Sequence, residues 1–261
     1  VDPPRLPEGH LSVAHSRGLE IAFTADTHSH ADYVSGSPGL AAQGATFLAS
    51  KDARVEVGHR DVEPADEIPL SDTVTLRAIA TPGHTPDHLA YLLCEHGEPV
   101  ALFSGGSLMV GAVGRTDLLG PEPREALTRR LYRALRDEIL TLPDDLAVYP
   151  THGAGSFCSA PGATERTTTI GRERAPNQLL HVADEATFVE QMLAGLGTFP
   201  AYFARLPELN RLGPRLYGAL PSLVRLPLDD ARSRLELGAL IVDVRPIADF
   251  AEAHIPGSLS I

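Results

Sequence analysis

The chain is short of cysteine, of long apolar runs and of positive charge, and each shortage excludes something. Two cysteines, Cys94 and Cys158, in 261 residues are too few for a disulfide framework and fit a reducing cytosol, so a cytoplasmic setting is expected. No apolar stretch approaches the roughly eighteen residues that cross a bilayer, and the start shows no basic-then-apolar signal, so no membrane partner is expected. Lys and Arg number 22 against 34 Asp and Glu, a formal net charge of −12 that disfavours nucleic acid as a partner. A small-molecule substrate is expected instead, with self-association into a homo-oligomer left open. The 43% hydrophobic content can bury a substantial core, as one large domain or as one domain and part of another.

What the chain does have is histidine, 11 in all. The stretch Thr27-His28-Ser29-His30-Ala31-Asp32-Tyr33 places two imidazoles and a carboxylate within five residues. It follows an apolar segment, Ile21 to Thr24, that reads as a buried strand. Strand-like geometry puts residues i and i+2 on one side, so His28 and His30 can point at one ion. A third ligand from elsewhere would complete a site with an open position for water or substrate. Two later loops can supply it, Thr81-Pro82-Gly83-His84-Thr85 and Tyr149-Pro150-Thr151-His152-Gly153. Each sits in a Pro/Gly turn directly after an apolar run, so three strand ends deliver histidine. An H-x-H alone is a weak signal, and the ordered company of His84 and His152 strengthens it.

The rest reads as alternating strands and helices, the α/β pattern. Strands are expected at 46–49, 73–80, 89–93, 100–104 and 146–149, with a weak helix or loop over 5–20 and a short helix ending at Gly39 to Gly44. Leu127, Leu131, Leu135 and Ile139, spaced near four behind Pro121 and Pro123, predict an amphipathic helix within 122–141 whose leucine stripe is core. The acidic run 57–69 reads as a solvated loop. His88 is expected to pack or hydrogen-bond beside the strand after it. Gly153 and Gly155 allow tight turns near His152. A nucleophilic Cys158 is disfavoured, because no orienting partner is evident. Beyond 174 a helix begins at Phe188, and Pro200, Pro207, Pro214, Pro221 and Pro227 indicate an extended linker or short helical turns.

Five stretches carry a family resemblance: THSHADYVSG, ATPGHTPDHLAYLL, FSGGSLMVGAVGRTDLLG, VYPTHGAGSFC and ERTTTIGRER. Together they cover most of 20–174, and their order and spacing resemble the metallo-β-lactamase superfamily. The closest likeness is to the branch of persulfide dioxygenases and their fusions to rhodanese domains. Members carry an H-x-H-x-D-H loop followed by single His, Asp and His ligands at strand ends. The resemblance implies an αββα sandwich over 1–180, with strands expected to precede Val1-Asp2-Pro3-Pro4. A helical extension and proline-rich linker follow over 181–236. Residues 237–261, with Leu240-Ile-Val-Asp-Val-Arg-Pro, Phe250 and His254-Ile-Pro-Gly-Ser, resemble the opening of a rhodanese-like domain, cut before its catalytic cysteine loop.

Two positions depart from the pattern. Tyr33 stands where a second-site His is usual, and Gly106 stands where the ligand Asp is usual, which argues against two metals. In persulfide dioxygenases one iron is held by the counterparts of His28, His84 and that Asp. His28, His30 and His84 would still make a three-His site for one divalent ion, iron or zinc. Asp32 is then expected to orient water or act as base, with His152 assisting. Arg115 is expected to hold a substrate anion or, alternatively, to brace its loop through Asp117, and Tyr33 to line the substrate site. Three functions remain open: a dioxygenase of sulfur metabolism acting on a thiol persulfide, a three-His zinc hydrolase of a thioester or related bond, and a metal-free scaffold or binding module.

Overall fold

The computed structural model describes residues 1–153, 156–158, 165–216 and 222–261. Gly155 and Pro221, singled out above, lie outside them. The chain divides into two compact units, Val1–Leu216 and Tyr217–Ile261. In order, the first holds α1 (Glu8–Ser16), β1 (Phe23–Ala25), α2 (Ser37–Ala41), β2 (Thr46–Ser50), β3 (Arg60–Val62), β4 (Glu67–Pro69), β5 (Val74–Ala80), β6 (Leu89–Glu95) and β7 (Glu98–Gly105). Then come α3 (Arg124–Asp137), β8 (Ala147–Pro150), β9 (Thr168–Thr169), α4 (Ile170–Arg174), α5 (Glu185–Ala194) and α6 (Leu206–Leu212). Strands β1, β2 and β3 form a parallel sheet. Strands β4 to β9 form a second sheet in sequence order, antiparallel except for the parallel pair β7 and β8.

Strand β6 explains the layering. Leu89, Tyr91 and Leu93 pack with Ala25, Leu48 and Val62 of the three-stranded sheet, whereas Ala90, Leu92 and Cys94 pack with Leu131, Leu135 and Phe188 of α3 and α5. Alternate side chains of a strand leave on opposite faces, so this central strand buries both. Helix α2 lies against β1 and β2 on the far side. The result is a helix, sheet, sheet, helix stack, the order that the family resemblance implies.

Helix α3 forms where its leucine spacing predicts it. Leu127, Thr128, Leu131, Ala134 and Leu135 face inward, the three-and-four spacing of an amphipathic helix. Its outer face pairs Arg129 with Glu125 and Glu185, and Arg133 with Glu185. These exposed pairs contribute little. Asp184 caps α5 by accepting the Thr187 amide at 2.8 Å. The turn before His84 rests directly on α3: at Gly83, φ is +152°, and a Cβ would lie 2.4 Å from Leu131 Cβ and 2.8 Å from its backbone nitrogen. Only glycine fits there.

One segment differs from expectation, and another takes one of two expected forms. The acidic run 57–69 contains β3 and β4, pairing Leu48 with Arg60 and Glu67 with Arg77. Its charged side chains stay outside, as expected, while Val62 and Ile68 are buried between the sheets. One apolar residue per three-residue strand is too little for periodicity to register. In the proline-rich region, short helical turns and not an extended linker describe Ala201–Ala204 and α6. Phe203 is buried there with Ala31, Leu118 and Cys158.

The second unit holds α7 (Leu228–Glu236), β10 (Val242–Asp243), α8 (Ile247–Glu252) and β11 (Leu259–Ser260), with β10 and β11 paired in parallel. Among the described residues no helix is long and apolar enough to cross a membrane.

Leu131→Ala should lose about 2–5 kcal/mol of unfolding free energy, as large-to-small core substitutions do. Gly83→Ala should also destabilise, by about 1–3 kcal/mol, through overpacking against the α3 backbone. Urea unfolding followed by circular dichroism reads both, and an unchanged midpoint for Gly83→Ala would contradict the close approach.

Candidate metal centre

Four strand ends of the two sheets converge. β1 runs into Asp26-Thr27-His28, β5 into the His84 turn, β7 into Gly105-Gly106, and β8 into Thr151-His152. Cross-strand hydrogen bonds lock these loops together: the Leu89 amide donates to the Thr27 carbonyl at 2.8 Å, and the Thr151 amide to the Gly105 carbonyl at 3.1 Å.

Three buried histidines, His28, His84 and His152, bring one ring nitrogen each within 4.8 Å of the others. Their outer nitrogens decide what faces inward. His84 Nδ1–H donates to the Arg115 carbonyl at 2.7 Å, which can only accept. His152 Nδ1–H donates to Asp32 Oδ2 at 3.0 Å. Thr27 donates its hydroxyl to Asp2 Oδ2 at 2.8 Å, so its oxygen must accept the Nδ1–H of His28, also at 2.8 Å. With its Nδ1 proton placed in this way, each ring has its Nε2 turned inward, where a neutral imidazole offers a lone pair. The Nε2 atoms of His28 and His152 lie 3.3 Å apart, and His84 Nε2 is buried with no partner. A proton shared by His28 and His152 would satisfy that pair and leave His84 orphaned. One divalent cation satisfies all three, so the residues present fit a metal.

The electrostatics agree. Burial first, and then the neighbouring His30, pushes His28 well below the ordinary imidazole range. Burial and the adjacent His152 take His84 down to about 3. Burial raises Asp32, but the His152 hydrogen bond and charge pull it further the other way, so it is held below the usual carboxylate range. Its second oxygen, Oδ1, is buried without a partner.

His30 turns elsewhere. Its Nε2 lies 3.1 Å from both Asp2 Oδ1 and the Tyr33 hydroxyl. Burial disfavours its cation, yet the Asp2 charge and hydrogen bond overcome that and raise its pKa to about 9. The expected trio of His28, His30 and His84 is thus not the one assembled around a common point: His152 joins His28 and His84. His30 belongs instead to groups with Asp32 and His152 and with Asp2 and Asp26. Tyr33 donates to the Asp2 carbonyl at 3.1 Å. Arg115 spends its guanidinium on Asp117, at 2.7 and 3.0 Å, and on the carbonyls of Phe157 and Gly197. That is the loop brace. His88 accepts from the Gly106 amide at 2.9 Å, pairs with Thr81 and stacks on His28, so it packs and hydrogen-bonds as expected.

Gly106 is not merely a ligand position without a side chain. A Cβ there would lie 2.3 Å from His84 Cδ2, so the His84 ring fills the space an aspartate would need. Sequence reasoning passed over two supports. Asp2 gathers Thr27, Thr151 and His30 around one buried carboxylate. Asn210 of α6 accepts the Ser35 amide at 2.9 Å and donates to the carbonyls of His30 and Tyr33. An Asp before Pro-Pro and an Asn in a short helix carry no motif, and only folding over 175 or more residues brings Asn210 to the loop.

Cys158 is no nucleophile: burial foremost pushes its thiol up to about 12. Alkylation at pH 8 should leave Cys158 unlabelled in the native protein and label it after denaturation, as peptide mass spectrometry would show. Rapid native labelling would contradict this.

No protein-family model matches the chain. Human mitochondrial persulfide dioxygenase ETHE1 is 31% identical over 152 residues, 58% of this chain and 56% of that protein. A hydroxyacylglutathione hydrolase from Polaromonas sp. is 34% identical over 145 residues, 54% of this chain and 52% of that protein. The chain therefore spans about half the length of these curated relatives. Among solved structures, ETHE1 from Myxococcus xanthus matches with a TM-score of 0.68 at 27% identity, covering 80% of this chain and 85% of that one. A metallo-β-lactamase from Staphylococcus aureus matches with a TM-score of 0.82 at 30% identity, covering all of this chain and 76% of that one. On that likeness in sequence and fold, the chain belongs to the metallo-β-lactamase family.

Proposed function

We propose that the chain is a metal-dependent hydrolase of a thioester formed by a small thiol, with one zinc-like ion held by His28, His84 and His152. The observation that carries this is the convergence of three imidazole nitrogens, with Gly106 leaving no carboxylate among them. Three histidines suit catalytic zinc, whereas oxygen-activating iron sites favour two histidines and a carboxylate. A bound ion of this kind polarises a carbonyl and makes water a better nucleophile.

The chain's own residues do the rest. Asp32 stays ionised, fixes His152 through Oδ2 and leaves Oδ1 to accept a proton from the attacking water. The water oxygen bonds to the thioester carbon, the carbon–sulfur bond breaks, and the proton taken by Asp32 passes to the leaving sulfur, so the products are a carboxylic acid and a thiol. Tyr33, whose hydroxyl burial keeps protonated, and Arg115 serve as substrate contacts in the proposal, Arg115 as a braced part of the cavity wall and not as a free cation. The similarity to ETHE1 supports a second reading, a dioxygenase of a small thiol persulfide using iron at the same residues. The β10, α8, β11 order supports keeping residues 237–261 as the opening of a rhodanese-like domain.

Thiol release from a panel of small thioesters should be abolished by a chelator and restored by zinc. Oxygen uptake with a persulfide by iron-loaded protein, with no thiol release, would overturn the hydrolase in favour of the dioxygenase. Gly106→Asp should lower metal content, since its Cβ would displace His84. Higher iron content and new oxygen uptake in that variant would mean the glycine is a lost ligand position, contrary to this reading.

A further inference from the structure

A cavity of about 820 Å³ opens beside the metal centre, within the range that small-molecule ligands occupy. Arg115 forms part of its wall, and the carbonyl of that same residue accepts from His84 Nδ1, so cavity and centre share a residue. The other walls come from the Gly111–Val113 loop, Ser156–Cys158, Pro176–Leu179 and the end of α5 with the turn after it.

The lining is neutral and rich in carboxamides. Asn177, Gln178 and Gln191 all face it, among apolar surface from Met192, Leu179 and Val113. Among the described residues of the wall, the only charged side chain is Arg115, and Asp117 neutralises it. Asn177 is the informative one: the residue is buried, and its Nδ2 has no hydrogen-bond partner. A buried amide donor without an acceptor is costly, and turning the Asn177 carboxamide toward the cavity would let a ligand carbonyl accept from it. Among the described lining residues a carboxylate placed here would find no free cation, and burying it unpaired is unfavourable.

We propose that this cavity binds an uncharged, amide-bearing thiol arm of the pantetheine type, with Asn177 Nδ2 donating to one of its amide carbonyls. Carboxamides offer both donor and acceptor to a secondary amide, which suits such an arm better than a tripeptide thiol with two carboxylates. The assignment rests on the thioester reading for its chemistry, but not for its binding test.

Binding is measured by calorimetry on the full, zinc-loaded chain, with S-methyl pantetheine and S-methyl glutathione as probes that cannot be hydrolysed. The pantetheine thioether should bind at least tenfold more tightly than the glutathione one. Asn177→Leu should weaken it about tenfold with zinc content unchanged, and the exposed Gln191→Leu should weaken it by a smaller factor without touching the core. Equal or tighter binding of the glutathione probe, or pantetheine binding indifferent to both variants, would overturn the proposal. If the probe binds as expected but S-acetyl pantetheine is not hydrolysed, the cavity assignment stands and the hydrolase reading falls. With S-acetyl pantetheine and the S-acetyl thioester of an acyl carrier protein as substrates, a higher kcat/KM for either identifies the source of the arm and upholds its chemistry.

Discussion

The centre depends on hydrogen bonds made on the outside of three imidazole rings. The Arg115 carbonyl, the Asp32 carboxylate and the Thr27 hydroxyl each take an Nδ1 proton, so three Nε2 lone pairs are turned toward one another in a buried space. Lone pairs held face to face repel, and a protein folds this way only where something positive compensates. The remaining architecture serves that arrangement. Asp2 orients Thr27, Asn210 holds the carbonyls of the histidine loop, and α3 supports the turn that carries His84.

Core and site are coupled at two glycines. At Gly83 the His84 turn touches the α3 backbone, so the leucines that bury α3 also set the height of a ligand. At Gly106 the absent side chain gives the His84 ring its room. Where the family pattern has an aspartate, Gly106 leaves the space that the His84 ring fills. His152 then supplies the third nitrogen, and His30 is left to an ion pair with Asp2.

Much of this was legible in the sequence because it depends on local pattern. The leucine spacing of α3, the apolar runs of β5 to β8 and the strand-end histidines are short-range signals, and each element formed where it was expected. The choice between His30 and His152 was not legible. An H-x-H on an extended strand suggests that both rings face one way, whereas the loop leaves β1 before His28 and turns His30 toward Asp2. Strands β3 and β4 were invisible because each buries a single residue. Asp2 and Asn210 act only through contacts distant in sequence, which no periodicity encodes.

The account turns on one ion shared by His28, His84 and His152. X-ray absorption at the metal edge, with elemental analysis of the same protein prepared with zinc and iron both available, tests it most directly. One ion per chain is predicted, with three imidazole nitrogens at about 2.0–2.1 Å if it is zinc. Two ions per chain, a shell dominated by carboxylate oxygen, or no metal at all would contradict it.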